Sequence, residues 1–156
     1  MRMSQASLFI LLSCASVAAV HASAGEKSIC RSDLPAAVQK TADEQAKGAT
    51  VRGYSKDKEN GQLEYEVQMV INGHSRDVTI APDGRLLEIE EEVSLGSLSP
   101  QVRSGLVARA GKGRIVKVET ITKKDAIVAY EAQVFTAGKH SEVQVGPDGT
   151  PLDHEE

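Results

Sequence analysis

Two acidic runs are the first candidates for chemistry. One is "EIEEE", Glu88 to Glu92, in the middle of the chain. The other is "DHEE", Asp153 to Glu156, at its end. Carboxylates that alternate along a strand share a face and could hold a hard cation such as calcium. A carboxylate beside an imidazole, as at Asp153 and His154, could contribute to a transition-metal site. The metal-ligating set read from the sequence is therefore Glu88, Glu90, Asp153 and His154. The same runs also suit a charged edge strand that resists pairing with other chains. A second polar set comprises Glu64, Glu66 and Gln68, with Glu131 and Gln133. These residues alternate with apolar ones, as on the wet face of a sheet, where a protein partner could dock.

Catalysis has little to build on. His74 and His140 sit beside equivalent hairpin turns, where polar residues are unremarkable. No Ser or Cys lies in a nucleophile elbow, no HExxH or CxxC occurs, and "GKGR" from Gly111 lacks the Walker spacing. The sequence therefore predicts a non-enzymatic chain with no cofactor. A net charge of −4 lacks the electrostatic footprint of a nucleic-acid binder.

The N-terminus predicts export. Met1-Arg2 is a positive start, and the apolar run Ala6 to Val20 is too short to span a membrane comfortably. Ala22-Ser23-Ala24 then offers a cleavage site, so residues 1–24 read as a signal peptide cut between Ala24 and Gly25. The expected location is periplasmic or secreted, with no transmembrane segment in the mature chain. Lipidation at Cys14, after "LLS", is the rival reading. Cleavage removes Cys14 and leaves Cys30 as a single thiol, which cannot form an internal disulfide.

The elements that must position the acidic residues are written twice. The stretch from Tyr65 to Glu91 aligns without a gap on Tyr130 to Glu156. Upstream, Leu34 and Val38 match Leu98 and Val102 at an offset one residue shorter. Such repetition suggests a pseudo-symmetric pair of units. In the first, Ser32 or Asp33 could cap a helix with Pro35 in its first turn, and Leu34, Ala37, Val38 and Ala42 form an apolar stripe. In the second, Ser99 caps, Pro100 starts the helix, and Val102, Leu106, Val107 and Ala110 form the stripe.

Strands follow each helix. "QLEYEVQMVI" alternates cleanly, and Asn72-Gly73 is a strong two-residue hairpin turn. That turn predicts Val67 opposite Val78 and Tyr65 opposite Ile80. In the second copy it predicts Ala132 opposite Val143 and Tyr130 opposite Val145. Pro82-Asp83-Gly84 and Pro147-Asp148-Gly149 read as tight turns into a last strand, with Leu87 and Leu152 facing the core. The predicted class is α+β, as two tandem repeats, each one helix packed on an antiparallel sheet of about four strands. Residues 25–33 are expected to be flexible. The repeats would span 34–93 and 98–156, joined by a linker at 94–97.

These residues resemble a known family. The "LP..V" helix start, the strands with "YEV" and "NGH", and the "V.I..DG..L..EEE" ending look like PepSY-like domains, small exported bacterial units. The resemblance covers Leu34 to Glu156 as two copies. It departs at "LSP" and at Ala137-Gly138 in the second. Tandem PepSY-like units are similar in architecture to the beta-lactamase-inhibitor-protein fold, whose two repeats form a concave surface. The resemblance implies no catalysis, and a role in restraining a peptidase or other hydrolase. It transfers no binding residues by motif. Partner contact through Glu64, Glu66, Gln68, Glu131 and Gln133 is expected from the sheet pattern alone. A metal- or small-ligand-binding protein using the acidic strands, or a structural accessory of the cell envelope, is the alternative.

Overall fold

The computed structural model describes residues 26–152, together with His154 and Glu156. The expected signal peptide, its cleavage point at Ala24 and Gly25, Cys14 and Asp153 lie outside the described residues. Strand β1 (Lys27–Ile29) and a short turn at Arg31–Asp33 precede helix α1 (Ala36–Gln45). Four strands follow: β2 (Thr50–Glu59), β3 (Gln62–Ile71), β4 (His74–Ile80) and β5 (Leu86–Glu92). A turn at Leu95–Ser97 leads into α2 (Pro100–Ala110), then β6 (Arg114–Lys123), β7 (Ala126–Thr136) and β8 (Lys139–Val145). The class is α+β.

The strands do not form two separate sheets of about four. They form one antiparallel sheet of eight strands in chain order. The join is β5 to β6, with Ile89 opposite Thr122 and Glu92 opposite Glu119. Pairing there leaves neither strand with an exposed edge of open donors and acceptors. The "EIEEE" strand is therefore central in the sheet rather than a charged edge. Near the N-terminus, β1 pairs Lys27 with Lys56 and Ile29 with Tyr54. In the second half, the short last strand is reduced to a single bridge between Val145 and Pro151.

Local chemistry explains the register. On β3, Tyr65, Val67 and Met69 are buried while Glu64, Glu66 and Gln68 are half-buried, as a period of two requires. Asn72 (φ 52°) and Gly73 (φ 88°) both occupy the left-handed region, as a type I′ hairpin demands. The result is Val67 opposite Val78 and Tyr65 opposite Ile80. Ala137 and Gly138 adopt the same conformation, placing Ala132 opposite Val143 and Tyr130 opposite Val145. All four pairs match expectation.

Each helix covers its own core. Leu34, Val38 and Ala42 pack on Tyr65, Val67, Met69, Val78 and Ile80. Leu98, Val102 and Leu106 pack on Val118, Ala132, Val134 and Val145. The row Val67–Val78–Ile89–Thr122 runs across the join, and paired residues point to the same side of a sheet. Thr120 and Val118 follow on that side by alternation, so both helices lie on one face.

Several expectations need correction. Ser99 does cap α2, its hydroxyl accepting the Val102 N–H at 3.2 Å. Neither Ser32 nor Asp33 caps α1. Pro35 occupies the cap position, and the Asp33 carboxylate accepts the Cys30 N–H instead, closing the Arg31–Asp33 turn. Ala37 is exposed and Val107 is 52% exposed, so neither belongs to the buried stripe. Leu87 lines a groove on the far side of the sheet. Leu87 is the extra residue of a bulge, since Thr79 faces Glu88 and Ile80 faces Leu86, and a bulge re-aims the side chain it carries. Leu152 is half-buried, with its Cδ2 3.4 Å from the position of a Cβ at Gly146.

The Pro-Asp-Gly turns work as expected, with a second duty. Gly84 donates to the Ala81 carbonyl, and Gly149 to the Gly146 carbonyl, each at 2.8 Å. Both glycines also abut a helix backbone. A Cβ on Gly84 would lie 2.8 Å from the Ala37 carbonyl oxygen, and one on Gly149 would lie 2.8 Å from the Val102 nitrogen.

Candidate interaction face of the sheet

Neither described helix covers the other face of the sheet. Alternation places Glu64, Glu66 and Gln68 of β3 there, and Glu131 and Gln133 of β7. Cross-strand pairing builds rows from these residues. One row runs Ser55, Glu66, Thr79, Glu88. The next includes Gln68, Asp77 and Glu90. A third runs Ser75, Glu92, Glu119, Glu131, Gln144, and a fourth Lys117, Gln133, Glu142. The five residues expected at a partner contact thus share one face, though not one patch. Glu131 is not wet: it is buried, and the Gln144 amide donates to its carboxylate at 3.0 Å.

The first patch is a groove of about 620 Å³ bordered by Asp57, Glu59, Glu64, Glu66, Glu88 and Glu156. Lys123 faces these six carboxylates, 3.2 Å from Glu88 and 3.5 Å from Glu156. Burial alone would lower the Lys123 pKa, but the attraction of Glu88 and Glu156 outweighs it and the net shift is upward. The ammonium is therefore held charged. Glu66 accepts from the Gln68 amide at 2.9 Å.

Glu64 is a carboxyl that burial and the groove's other carboxylates press toward its neutral form. Burial raises its carboxyl above the usual glutamate range, Glu59 and Glu88 add repulsion, and Lys123 opposes them. The folded chain thus binds this proton more readily than the unfolded chain does. The stability it contributes is complete below the unfolded pKa and is lost as pH rises through the raised folded one. Glu64→Gln removes that loss. Melting curves between about pH 4 and 6 should show wild type losing stability relative to Glu64→Gln as pH rises. Curves that stay parallel would contradict this origin.

Among the described residues expected to ligate a metal, Glu88 and His154 border the same groove, and Glu90 lies apart from it. Glu88 is engaged by Lys123. Glu90 lies one row further along, near Asp77 and Glu119. His154 is 82% exposed, with its Nε2 3.9 Å from Glu156. Asp153 is outside the described residues. His74 lies 4.0 Å from Glu92, His140 is tilted against Phe135, and Cys30 is an exposed thiol.

Sequence reasoning missed Lys117 and Glu119. They are adjacent positions of one face of β6, with a 2.7 Å ion pair that is almost wholly buried. The alternation in "VKVETIT" was the available signal.

Comparison with protein-family models finds no match, and no curated protein matches the chain. Solved structures do resemble it. A protein from Bacteroides eggerthii, provisionally described as periplasmic, has a TM-score of 0.61 at 18% identity, over 76% of this chain and 86% of that one. A DUF2874 family protein from Bacteroides ovatus has a TM-score of 0.59 at 19% identity, over 77% and 85%. A BLIP-like protein from Bacteroides fragilis has a TM-score of 0.56 at 18% identity, over 78% and 85%. At these identities the likeness is one of fold: the chain has a BLIP-like fold, with its helices on one side of a long antiparallel sheet.

Proposed function

We propose that this chain is an exported, non-enzymatic binding module that docks a protein on the sheet face opposite its helices. The partner is a peptidase or other hydrolase, which docking restrains. The observation that carries this reading is the arrangement of the face itself. Strands β2 to β8 present carboxylates and amides on the side that neither described helix covers, with the acidic groove at one end. Glu64, Glu66, Gln68 and Gln133 are the contact residues; Glu131 shares their face but is buried against Gln144. Six carboxylates facing one lysine call for a partner that offers basic side chains.

The fold likeness to a BLIP-like protein agrees with this reading. So does the secretory pattern of residues 1–24, together with the periplasmic description of one neighbour. The internal alignment supports two PepSY-like units, 34–93 and 98–156, fused through β5 and β6. A panel of exported proteases and other hydrolases, assayed with the purified protein at low and high salt, tests the proposal. Inhibition that weakens as salt rises is expected. Full activity of every enzyme, with no complex at low salt, would sink it.

A further inference from the structure

Docking does not account for a second feature of the same face. Asp77 on β4, Glu90 on β5 and Glu119 on β6 lie on three neighbouring strands. Asp77 and Glu90 are cross-strand partners, and Glu119 pairs with Glu92, two residues beyond Glu90. One carboxylate oxygen from each lies within 4.8 Å of the others. Like charges this close repel one another. Asp77 and Glu90 are half-buried, but Glu119 is 1% exposed.

The Glu119 carboxylate is only half satisfied. Its Oε1 accepts from the Lys117 ammonium at 2.7 Å and from the Ser75 hydroxyl at 3.3 Å. Its Oε2 is buried and has no hydrogen-bond donor among the described residues. A buried, orphaned carboxylate oxygen is costly. Folded proteins seldom keep one without a water or an ion to answer it.

We propose that Asp77, Glu90 and Glu119 bind a hard divalent cation of about calcium's size, bridging β4, β5 and β6. The donors are all oxygen, with no thiolate or imidazole among them, which favours calcium, magnesium or manganese over zinc or copper. Oxygens on opposite sides of a calcium ion, each about 2.4 Å from it, stand roughly 4.8 Å apart. Three oxygens that all lie within that distance of one another can reach one such ion together. The open side at Asp77 and Glu90 admits the waters that would complete the coordination shell. The ion would pin the β5–β6 seam between the two halves. This inference goes beyond the docking reading and stands without it. Of the four metal ligands expected from sequence, it retains Glu90 alone.

The test uses the purified protein stripped with a chelator, then titrated separately with calcium, magnesium and manganese, by calorimetry and by melting temperature. At a cation concentration about a hundredfold above Kd, the melting temperature should rise by about 5–10 °C, and chelator should reverse it. Asp77→Asn and Glu90→Gln change half-buried groups and should leave the fold intact while abolishing the response. Glu88→Gln, in the groove, should retain it. The proposal is overturned by no heat and no shift with any of the three metals up to about 10 mM, tenfold above the weakest calcium modules. A response that survives both Asp77→Asn and Glu90→Gln, or that Glu88→Gln removes equally, also overturns it.

Discussion

Replacing Gly149 with alanine should destabilise the protein by about 3–5 kcal/mol, a large share of the stability of an ordinary domain. Two costs add. Gly149 has φ +82°, and a left-handed residue with a Cβ costs roughly 1–2 kcal/mol. The Cβ would also collide with the Gln101 carbonyl and lie 2.8 Å from the Val102 nitrogen. Both are backbone atoms, which cannot swing aside. Gly105 closes the contact from the helix side, since a Cβ there would strike the Gly149 carbonyl. Helix α2 thus rests its backbone directly on the Pro-Asp-Gly loop. Relieving the clash means lifting Val102 and Leu106 out of the core they fill. Gly138 is the control. It has φ +83° but nothing within 4 Å of an added Cβ, so Gly138→Ala should cost about 1 kcal/mol. Denaturant unfolding of both variants measures the difference. Equal losses would show that turn strain alone, and not helix contact, requires the glycine.

Lys117→Ala should cost about 3–5 kcal/mol, the usual penalty for removing one partner of a buried ion pair. The ammonium side chain is 15% exposed and lies 2.7 Å from Glu119 Oε1. Without it, Glu119 keeps only the Ser75 hydroxyl, 3.3 Å away, and its charge stays buried beside Asp77 and Glu90. The double variant Lys117→Met/Glu119→Leu should recover most of the loss, because well-packed apolar replacements often match or exceed a buried pair. Unfolding measured in chelator tests both statements. A loss below about 1 kcal/mol for Lys117→Ala would place the pair with surface salt bridges.

Local elements were legible because they follow from local chemistry. Alternation on β3 and the Asn72-Gly73 turn predicted four cross-strand pairs, all of which form. Ser99 was legible as a cap because its hydroxyl needs only the N–H of a residue three positions on. What depended on distant partners was not legible. Nothing in the "EIEEE" run says that β6 will pair with it, so a central strand read equally well as an edge. Glu131 was correctly placed on the face away from the helices. Its burial comes from Gln144 on β8 and from its neighbour Glu119 on β6, which alternation along β7 cannot reveal. Leu87 was sent to the wrong side by a bulge at its own position, which is set by the pairing with β4. The repeated Pro-Asp-Gly was understood as a turn. Its close approach to the helices at Ala37 and Gln101 joins residues dozens of positions apart.

The docking claim is tested most directly by placing one new charge on each side of the sheet. Glu64→Lys puts a cation in the acidic groove, and Val107→Lys puts one on the exposed surface of α2. Affinity for the inhibited hydrolase should fall at least about tenfold with Glu64→Lys at low salt and stay unchanged with Val107→Lys. A loss with Val107→Lys and none with Glu64→Lys would put the partner on the helices and contradict the account.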